Sequence, residues 1–322
     1  MSATRSSRTS GVVALVLALA SSGALAQQKP VHVLVGLAAG GSLDTMTRLY
    51  AESLRASLGQ PFIVENRAGA SGVIAIDALR AAPADGSVLM TAASGSITLL
   101  PNTYKKPRFD PTRDFVPVGQ MAELDFVLTT HPAVPAKTAT EFAALAKSDP
   151  KYRSFGSSPG TNPHLLAMAF ARAAGIEAVY VPYKGNGQAL VDLIGGQIAA
   201  LFLTAGEALE LGPSGKVRML ASSGARRSNL MPNVPTLKES GYDVAGSAWF
   251  AFFAPVGTPK ETIDRLSAAI VQAAGSAELR ERLAHAGIEA AALPSKELAA
   301  KIGSEYRQIG NDLRAIGFKQ QD

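Results

Sequence analysis

Cysteine is absent from the 322 residues of the chain. Its absence excludes disulfide bonds, cysteine-ligated zinc, iron–sulfur clusters and cysteine nucleophiles. Long apolar runs are missing as well, since none reaches the roughly 20 residues that a membrane-spanning helix needs. The four histidines stand singly and without ligand spacing, so the sequence predicts no metal site.

Hydrophobic residues make up 47% of the chain, which excludes wholesale disorder and predicts a folded, soluble protein. The length exceeds the size at which one core usually stops growing, so two domains are expected. The formal net charge is +5, and it falls to +3 without the two arginines of the N-terminal segment described next. This balance argues against nucleic acid as a partner.

Residues 1–26 have the features of a secretory signal peptide. Arg5 and Arg8 precede the apolar run 12–20, and Ala24-Leu25-Ala26 matches an A-x-A cleavage site. The run is too short for a membrane anchor, and no cysteine follows to carry a lipid. We therefore expect a mature, soluble, periplasmic protein of 296 residues.

Strand-length apolar runs alternate with helical patterns over most of the chain. Strands are predicted at 31–37, 62–65, 88–92, 125–130, 153–156, 178–181, 198–203, 217–222 and 248–254. Helices are predicted around 46–58, 76–80, 141–147, 165–174, 189–194, 259–271, 278–285 and 295–316. This order predicts an α/β architecture with mainly parallel sheets, and a helical tail that returns to the first domain.

Small, uncharged residues follow several of these strands. The loops are 38–42, 69–72, 94–96, 156–161 and 185–187. Ligands of open α/β sheets bind beyond the carboxyl ends of the strands, and helix starts there expose backbone N–H groups that suit an anion. Any one of these loops could merely be a tight turn, but their equivalent positions predict a small-ligand site.

One catalytic motif has to be weighed against this interpretation. Residues 156–160 match the G-x-S-x-G pattern of hydrolases, with Ser158 as nucleophile and Asp264 and His285 in the expected chain order. An oxyanion hole of that fold uses the N–H after the nucleophile, which Pro159 lacks. A secreted serine hydrolase therefore stays only as the alternative. The glycine-containing segments 185–187 and 212–216 do not have nucleotide-binding spacing.

Several motifs follow one another in a fixed order along the chain. They are VHVLVGLAAGGSLD (31–44), VENRAGASG (64–72), DPTRDFVP (110–117), VPYKG (181–185), DLIGGQ (192–197), VPT (234–236) and Trp249 with APVGTP (254–259). Together they resemble the Bug family of periplasmic solute-binding proteins, also called TctC-type receptors of tripartite tricarboxylate transporters. The resemblance covers essentially the whole mature chain.

The resemblance implies a two-lobed, flytrap-like periplasmic-binding-protein fold, in which each lobe is a mainly parallel sheet flanked by helices. Two crossovers join lobe 1, residues 27–125 plus 246–322, to lobe 2, residues 126–245. It also implies a monomeric, non-enzymatic receptor without cofactor, which offers a small carboxylate to membrane subunits of the transporter. A sensory receptor that docks on a signalling partner remains open as another alternative.

In this family, backbone amides and ordered water at one loop per lobe hold the ligand carboxylate. These loops correspond to the segments 37–44 and 156–164 here. With the neighbouring loops, the predicted ligand-binding residues are Leu37, Ala38, Ala39, Gly40, Gly41, Ser42, Asp44, Ser94, Gly95, Ser157, Ser158, Gly160, Thr161, His164, Tyr183, Lys184, Leu203 and Thr204.

The chain departs from the family pattern in the first loop and at two positions of the second lobe. The first loop usually reads Pro-Phe-Ala-Pro-Gly-Gly, whereas residues 36–41 read Gly-Leu-Ala-Ala-Gly-Gly. Ala199 and Leu203 stand where relatives often carry acidic or aromatic residues. We therefore expect a weaker preference for amino acids and more tolerance for an apolar or aromatic ligand portion.

Four further side chains can be assigned roles. Tyr183 is the first aromatic expected at the cleft, whereas Trp249 is expected to pack near the crossover. Arg67 is expected to pair with Glu65. Lys184 fits a solvated loop lysine and an anion-attracting group equally well.

Overall fold

The computed structural model describes residues 29–183, 186–285 and 288–322, and within these ranges ten strands alternate with nine α-helices. The strands are β1 (Val31–Val35), β2 (Phe62–Asn66), β3 (Val88–Ala93), β4 (Val116–Thr130), β5 (Ser154–Ser157), β6 (Val179–Pro182), β7 (Ala200–Thr204), β8 (Arg218–Ser222), β9 (Ser247–Ala254) and β10 (Glu289–Pro294). The helices are α1 (Ser42–Leu58), α2 (Val73–Arg80), α3 (Ala139–Ser148), α4 (Asn162–Ala174), α5 (Asn186–Ile194), α6 (Ala205–Leu211), α7 (Lys260–Gly275), α8 (Ala277–Ala284) and α9 (Ser295–Ala315). The predicted signal peptide lies outside the described residues.

The strands form one mixed sheet in the order β2-β1-β3-β9-β4-β7-β5-β6, with β8 and β10 added to β4. Parallel pairing, as predicted, joins β1 to β2 and β3, and β5 to β6 and β7. The prediction of mainly parallel sheets is too simple, because β3 and β4 pair antiparallel with β9, and β4 pairs antiparallel with β7, β8 and β10. The α/β class is confirmed.

The long strand β4 connects the two ends of this sheet. Its first part, up to Asp125, pairs with β9 and β10, whereas Phe126 to Thr130 pair with β7 and β8. We call residues 29–125 and 246–322 the first half and residues 126–245 the second half. Only 125–130 of this strand was predicted.

Ser223 joins the two places where the chain passes between the halves. Its hydroxyl accepts from Phe126 N–H at 3.0 Å and donates to the carbonyl oxygen of Gly246 at 2.6 Å. Backbone bonds from Ser223 N–H to Phe126 and from Gly246 N–H to Ser223 complete the junction. The two crossing segments are therefore held side by side.

Each half has its own apolar core on both faces of its sheet. In the first half, α1 and α7 bury Leu54 and Ile270 against one face, and α2 buries Ile76 against the other. In the second half, Phe142, Phe155 and Phe170 pack edge-to-face or stacked, with ring centroids 5.9–6.5 Å apart. Burial of each such side chain contributes about 1.5–3 kcal/mol, which keeps the strand ends in place.

Local signals set several helix ends. Gly59 ends α1 with φ of 69°, a conformation that glycine adopts without strain. The Thr138 hydroxyl accepts from Glu141 N–H and caps α3, as predicted. Helix α6 and strand β10 were not predicted. Within the described ranges, no helix combines the length and apolar character that crossing a membrane requires.

Candidate ligand-binding site

Three loops of the first half meet at one edge of the sheet, because β1, β2 and β3 run parallel. A Cβ atom added to Gly36 would lie 3.0 Å from Gly72 Cα, and one added to Gly72 would lie 3.2 Å from Ser96 Oγ. Only glycines allow this close approach. The loops after β1, β2 and β3 therefore form one continuous surface.

The first predicted loop, residues 37–44, is exposed from Leu37 to Ser42. Gly40 turns the chain with φ of 81°, and Gly41 precedes the first turn of α1 without a side-chain cap. The N–H groups at the start of a helix have no partner within the helix, and the helix dipole is positive there. Ala38, Ala39 and Ser42 leave this end of α1 open to an anion.

Asp44 is one of the predicted ligand-binding residues, and its carboxylate has several partners within the protein. Its buried carboxylate accepts from Gly40 N–H and Asn66 Nδ2 at 2.9 Å each, and from Arg48 Nε at 3.1 Å. Burial raises the pKa of Asp44, but these bonds and the charge of Arg48 outweigh it and leave the pKa below its usual value. Because its oxygens are engaged, Asp44 fixes the shape of the loop.

Ser94 and Gly95 start a short π-helical turn, Gly95–Leu99, after β3. The Ser94 side chain is buried, and its hydroxyl accepts from Trp249 N–H at 3.3 Å. No atom lies within 4 Å of the place where a Cβ of Gly95 would stand, so the turn is open at this point. Turns of this kind are frequent at functional sites.

The second predicted loop, residues 156–164, follows β5 and leads into α4. Its backbone is fixed by side chains: Asn186 Oδ1 accepts from Ser158 N–H at 3.2 Å, and Thr161 Oγ1 donates to the Ser158 carbonyl at 2.7 Å. Tyr180 OH donates to the Ser157 carbonyl at 2.9 Å. The loop is thus held in one conformation before any ligand arrives.

His164 is a neutral donor beside this loop. Its Nδ1 accepts from Gly160 N–H at 3.1 Å, so the neutral ring carries its proton on Nε2. Burial lowers the pKa of His164, which favours the neutral form. The Ser157 hydroxyl is also buried and, within the described part of the chain, lacks a hydrogen-bond partner.

The remaining predicted residues have different placements. Tyr183 is half-buried, and its OH donates to Asp192 Oδ2 at 2.7 Å; burial and this carboxylate raise its pKa to about 12. Lys184 lies outside the described residues. Thr204 caps α6 through a reciprocal pair of bonds with Glu207. The Leu203 side chain is 1% exposed and belongs to the apolar core.

The second loop touches the first half. A Cβ atom on Gly160, whose φ is 67°, would lie 3.1 Å from Phe318 Cζ and 3.3 Å from Thr103 Cγ2. Next to it, Leu165 of α4 packs on Leu99, Ile309 and Leu313. The two halves are therefore in contact beside the second predicted loop.

The chain is similar in sequence to a known family of receptors. The family model described as tripartite tricarboxylate transporter family receptor (TctC) matches residues 46–318. The chain belongs to the TctC family. BugT of Bordetella pertussis is 34% identical to it over 298 residues, which cover 90% of each protein.

Two solved structures share the fold of this TctC protein. A TctC solute binding protein from Polaromonas, without ligand, has a TM-score of 0.81 and 26% identity, and covers 89% of this chain and 99% of that chain. Rpa4515 of R. palustris with adipate has a TM-score of 0.74 and 27% identity, and covers 90% and 98%. The predicted Bug (TctC) family and its periplasmic-binding-protein fold are confirmed.

A small cavity lies elsewhere in this TctC protein, at the crossover between the halves. It has a volume of about 80 Å³ and is lined by residues that include Glu123, Asp125, Gly224, Arg226 and Glu289. Burial, with the charges of Glu123 and Glu289, raises the pKa of Asp125 to about 6. None of the predicted ligand-binding residues lines this cavity, so it is separate from the predicted site.

Neither a metal centre nor a catalytic triad is assembled in the described ranges. No group of three or more potential metal-ligating side chains occurs among the described residues. Asp264 forms a surface ion pair with Lys260, and His285 ends α8 in the first half, whereas Ser158 lies in the second half. The described hydrogen bonds do not join these three residues.

Several residues that shape the candidate site were missed. Asn66 and Arg48 hold Asp44, Tyr180 supports Ser157, and Phe318 lies against Gly160. Asn66 stands within the VENRAGASG motif, which was a usable signal. The position of Phe318 comes from a contact between distant parts of the chain, and no local pattern indicates it. Trp249 is fully buried, and Arg67 pairs with Glu65 at 3.2 Å, both as predicted.

Proposed function

We propose that this TctC protein is a periplasmic receptor that captures a small organic acid between two lobes. The lobes are residues 27–125 plus 246–322 and residues 126–245. The observation that carries the proposal is that each half has a glycine-containing loop at the carboxyl end of a parallel strand, with a contact between the halves beside the second loop. TctC receptors work with transporter membrane subunits, and we assign delivery to such subunits as its role.

The ligand class follows from the donors that the two loops offer. Ser42 at the start of α1 presents a backbone N–H group, and His164 presents a neutral Nε2–H. The Gly41 N–H makes only a long bond of 3.5 Å to the Ala38 carbonyl. The Gly40 N–H is held by Asp44. The cation Arg48, on α1, is engaged by Asp44. Preorganised neutral donors hold a carboxylate through charge-assisted bonds. The adipate bound by the R. palustris relative is an acid of this class.

The ligand's second portion is expected to be apolar or weakly polar. The second lobe lacks the acidic residues that relatives often carry, and Ala199 and Leu203 are buried apolar residues here. Neither of these two positions supplies a carboxylate that could bind a ligand's ammonium group. Mono- and dicarboxylates are therefore favoured over amino acids.

Closure of the two lobes completes the site. Leu165 and Gly160 of the second half reach Ile309, Leu313 and Phe318 of the first half. These contacts are made only when the lobes approach each other. A ligand that touches both loops therefore shifts the population toward the closed form.

The role is binding, not turnover. Ser158 donates its backbone N–H to Asn186, while Asp264 pairs with Lys260 at the surface. The wild type and Ser158→Ala are both expected to leave ester substrates unchanged. Hydrolysis by the wild type that Ser158→Ala abolishes would establish the hydrolase alternative instead.

A thermal-shift screen tests the proposal. It compares mono-, di- and tricarboxylates, aromatic acids and amino acids with the corresponding amides, which have no negative charge. An acid at about 100 times its Kd adds about 2.7 kcal/mol of stability. We expect a rise in Tm with acids of one class and none with their amides. A flat response across all acids, confirmed by calorimetry, would contradict a carboxylate receptor.

Uptake and sensing are separated by a second experiment. Transport of the acid is measured in vesicles that contain the membrane subunits of a tripartite tricarboxylate transporter, with and without the receptor. Receptor-dependent uptake is the expected result. Binding of the acid without any receptor-dependent uptake would favour the sensory alternative.

A further inference from the structure

Glu305, on α9, lies between a strand and one of the candidate ligand-binding turns. Its Oε2 accepts from Trp249 Nε1–H of β9 at 2.7 Å, and its Oε1 lies 2.6 Å from Thr98 Oγ1. Thr98 belongs to the π-helical turn that starts beside Ser94. One partly buried carboxyl group therefore joins three separate segments of the first half.

The hydrogen-bond geometry indicates which form of this carboxyl group is present. Thr98 Oγ1 also lies 2.9 Å from the Ser94 carbonyl oxygen, to which it must donate. A threonine hydroxyl has one proton, so it cannot donate to Ser94 and to Glu305 at the same time. Both contacts are satisfied when Glu305 Oε1 carries a proton and donates to Thr98. Oε2 then remains free to accept from Trp249.

The charged surroundings of Glu305 agree with a protonated form. Burial is the largest influence and raises the pKa of Glu305 above its usual value, and the charge of Glu123 on β4 raises it further. The bonds from Thr98 and Trp249 and the charge of Lys301, one turn earlier on α9, lower it without cancelling the shift. Lys301 is itself paired with Glu123.

We infer that Glu305, as a neutral carboxylic acid, is a positioning residue of the ligand site, which ties α9 to the Ser94–Thr98 turn and to Trp249. This inference rests on the proposed function, because the turn is part of the proposed site. Ionisation of Glu305 draws the Thr98 hydroxyl away from Ser94 and loosens the turn.

Helix α9 extends this connection to the other half. One turn beyond Glu305, Ile309 and then Leu313 pack against Leu165 of α4. The position of α9 therefore affects both the Ser94–Thr98 turn and the contact that closes the lobes. Glu305 links the two through a single helix.

Two substitutions of Glu305, each with a matched control, test this role. Glu305→Gln preserves the pattern of the neutral acid, because its amide donates to Thr98 and its oxygen accepts from Trp249. Glu305→Ala removes both bonds. Glu297→Gln and Glu297→Ala, at an exposed position of the same helix, are the matched controls.

Two readouts are measured, of which the first needs no ligand. Trp249 is the single tryptophan of the chain, so its emission reports on Glu305 directly. Emission is titrated from about pH 4 to about pH 9, around and above the usual range of a glutamate pKa. We expect a transition in the wild type and in the Glu297 variants, displaced upward from that range, and none in Glu305→Gln.

The second readout is the affinity for adipate. Glu305→Gln is expected to bind as the wild type does near pH 5, and Glu305→Ala about five- to tenfold more weakly. As the pH rises through the emission transition, the wild type should lose affinity and Glu305→Gln should keep it. Thr98→Val, which removes the hydroxyl alone, should show the loss of affinity at all pH values.

The inference is overturned if the emission profiles of the wild type and Glu305→Gln superimpose, or if a correctly folded Glu305→Ala binds adipate as tightly as the wild type. The proposed function fails differently. If the wild type binds neither adipate nor any acid of the screen, the ligand class is wrong, and the emission titration still decides whether Glu305 is neutral.

Discussion

The imidazole of His164 stacks on the ring of Tyr180, with ring centroids 4.0 Å apart and an interplanar angle of 21°. The stacked rings support one carbonyl group and one amide group of the same loop. Tyr180 OH donates to the Ser157 carbonyl, and His164 Nδ1 accepts from Gly160 N–H. The conformation of the second loop therefore depends on a neutral histidine.

His164→Ala should lower the free energy of unfolding by about 1–3 kcal/mol, because Gly160 N–H loses its partner. The pKa of His164 is lowered on folding, so the unfolded chain binds more protons as the pH falls below about 6.5. Wild-type stability should fall in that range, and this part of the decrease should be missing in His164→Ala. Urea unfolding at several pH values measures both effects.

His131→Ala is the matched control. His131 Nδ1 accepts from Ala133 N–H at 3.1 Å, which is the same kind of bond at an exposed position. Its loss should change stability by less than about 0.5 kcal/mol. Parallel pH profiles for the wild type and His164→Ala would show that His164 is not held neutral by the fold.

Asp44→Asn should loosen the first loop although the side chain keeps its size. Gly40 N–H, Asn66 Nδ2 and Arg48 all donate to the carboxylate, and an amide NH₂ cannot accept from any of them. We expect a loss of about 1–3 kcal/mol in the free energy of unfolding and weaker binding of the acid. Thermal unfolding and calorimetric titration check the two effects.

Because the pKa of Asp44 is lowered in the folded protein, the same experiment should also show a loss of stability at acid pH. Its contribution to stability is present above the usual value of 3.8 and is lost as the pH falls through the lowered folded value. Asp243→Asn is the control, because that side chain is 97% exposed. An equal, small effect of both substitutions would mean that Asp44 does not hold the loop.

Gly160→Ala tests the contact between the halves. Gly160 and Gly59 have φ of 67° and 69°, so alanine costs about 1–2 kcal/mol of backbone strain at either position. Only at Gly160 does the new methyl group meet Phe318, since nothing lies within 4 Å of a Cβ on Gly59. We expect similar losses of stability, but at least about tenfold weaker binding in Gly160→Ala alone. Equal affinities in the two variants would refute a role of this contact in closure.

Asp125→Asn should change the pH dependence of stability in the opposite direction to His164. The pKa of Asp125 is raised to about 6, so the folded protein binds more protons than the unfolded chain between about pH 4 and pH 6. Wild-type stability should therefore fall as the pH rises through that window. Asp125→Asn should remove this decrease, and Asp264→Asn, at the surface, should leave it unchanged. Thermal unfolding of each variant is measured across this pH range. Identical dependence of stability on pH in the wild type and in Asp125→Asn would contradict the prediction.

Local patterns predicted much of the fold. The apolar run of β1, the glycine that ends α1 and the Thr138 cap of α3 all act within a few residues. Strand β4 was predicted only in part, because Pro117, Gly119 and Glu123 interrupt its pattern, and pairing with β9 and β10 stabilises it nonetheless. Strand β10 has an alanine-rich sequence that favours helix, and its pairing with β4 overrides that preference.

The candidate site was predictable at the level of loops and not of side chains. Parallel βα order predicts which strand ends share an edge of the sheet. It does not predict that Asn66 and Arg48 engage Asp44, that Phe318 reaches Gly160 or that Glu305 joins Thr98 to Trp249. Each of these contacts joins segments whose proximity depends on the whole fold.

The measurement that tests the central claim most directly is a backbone amide NMR titration of protein labelled with ¹⁵N-glycine. The claim is that main-chain donors of the two loops hold the carboxylate. Addition of the tightest-binding acid from the screen should shift the amide resonance of Gly41 downfield, and should also move those of Gly40 and Gly160, whose N–H groups donate to Asp44 and His164 within the two loops. The uncharged amide of the same acid should leave them unchanged. Saturable binding that leaves these three resonances in place, and shifts Gly224 at the crossover cavity instead, would contradict the account.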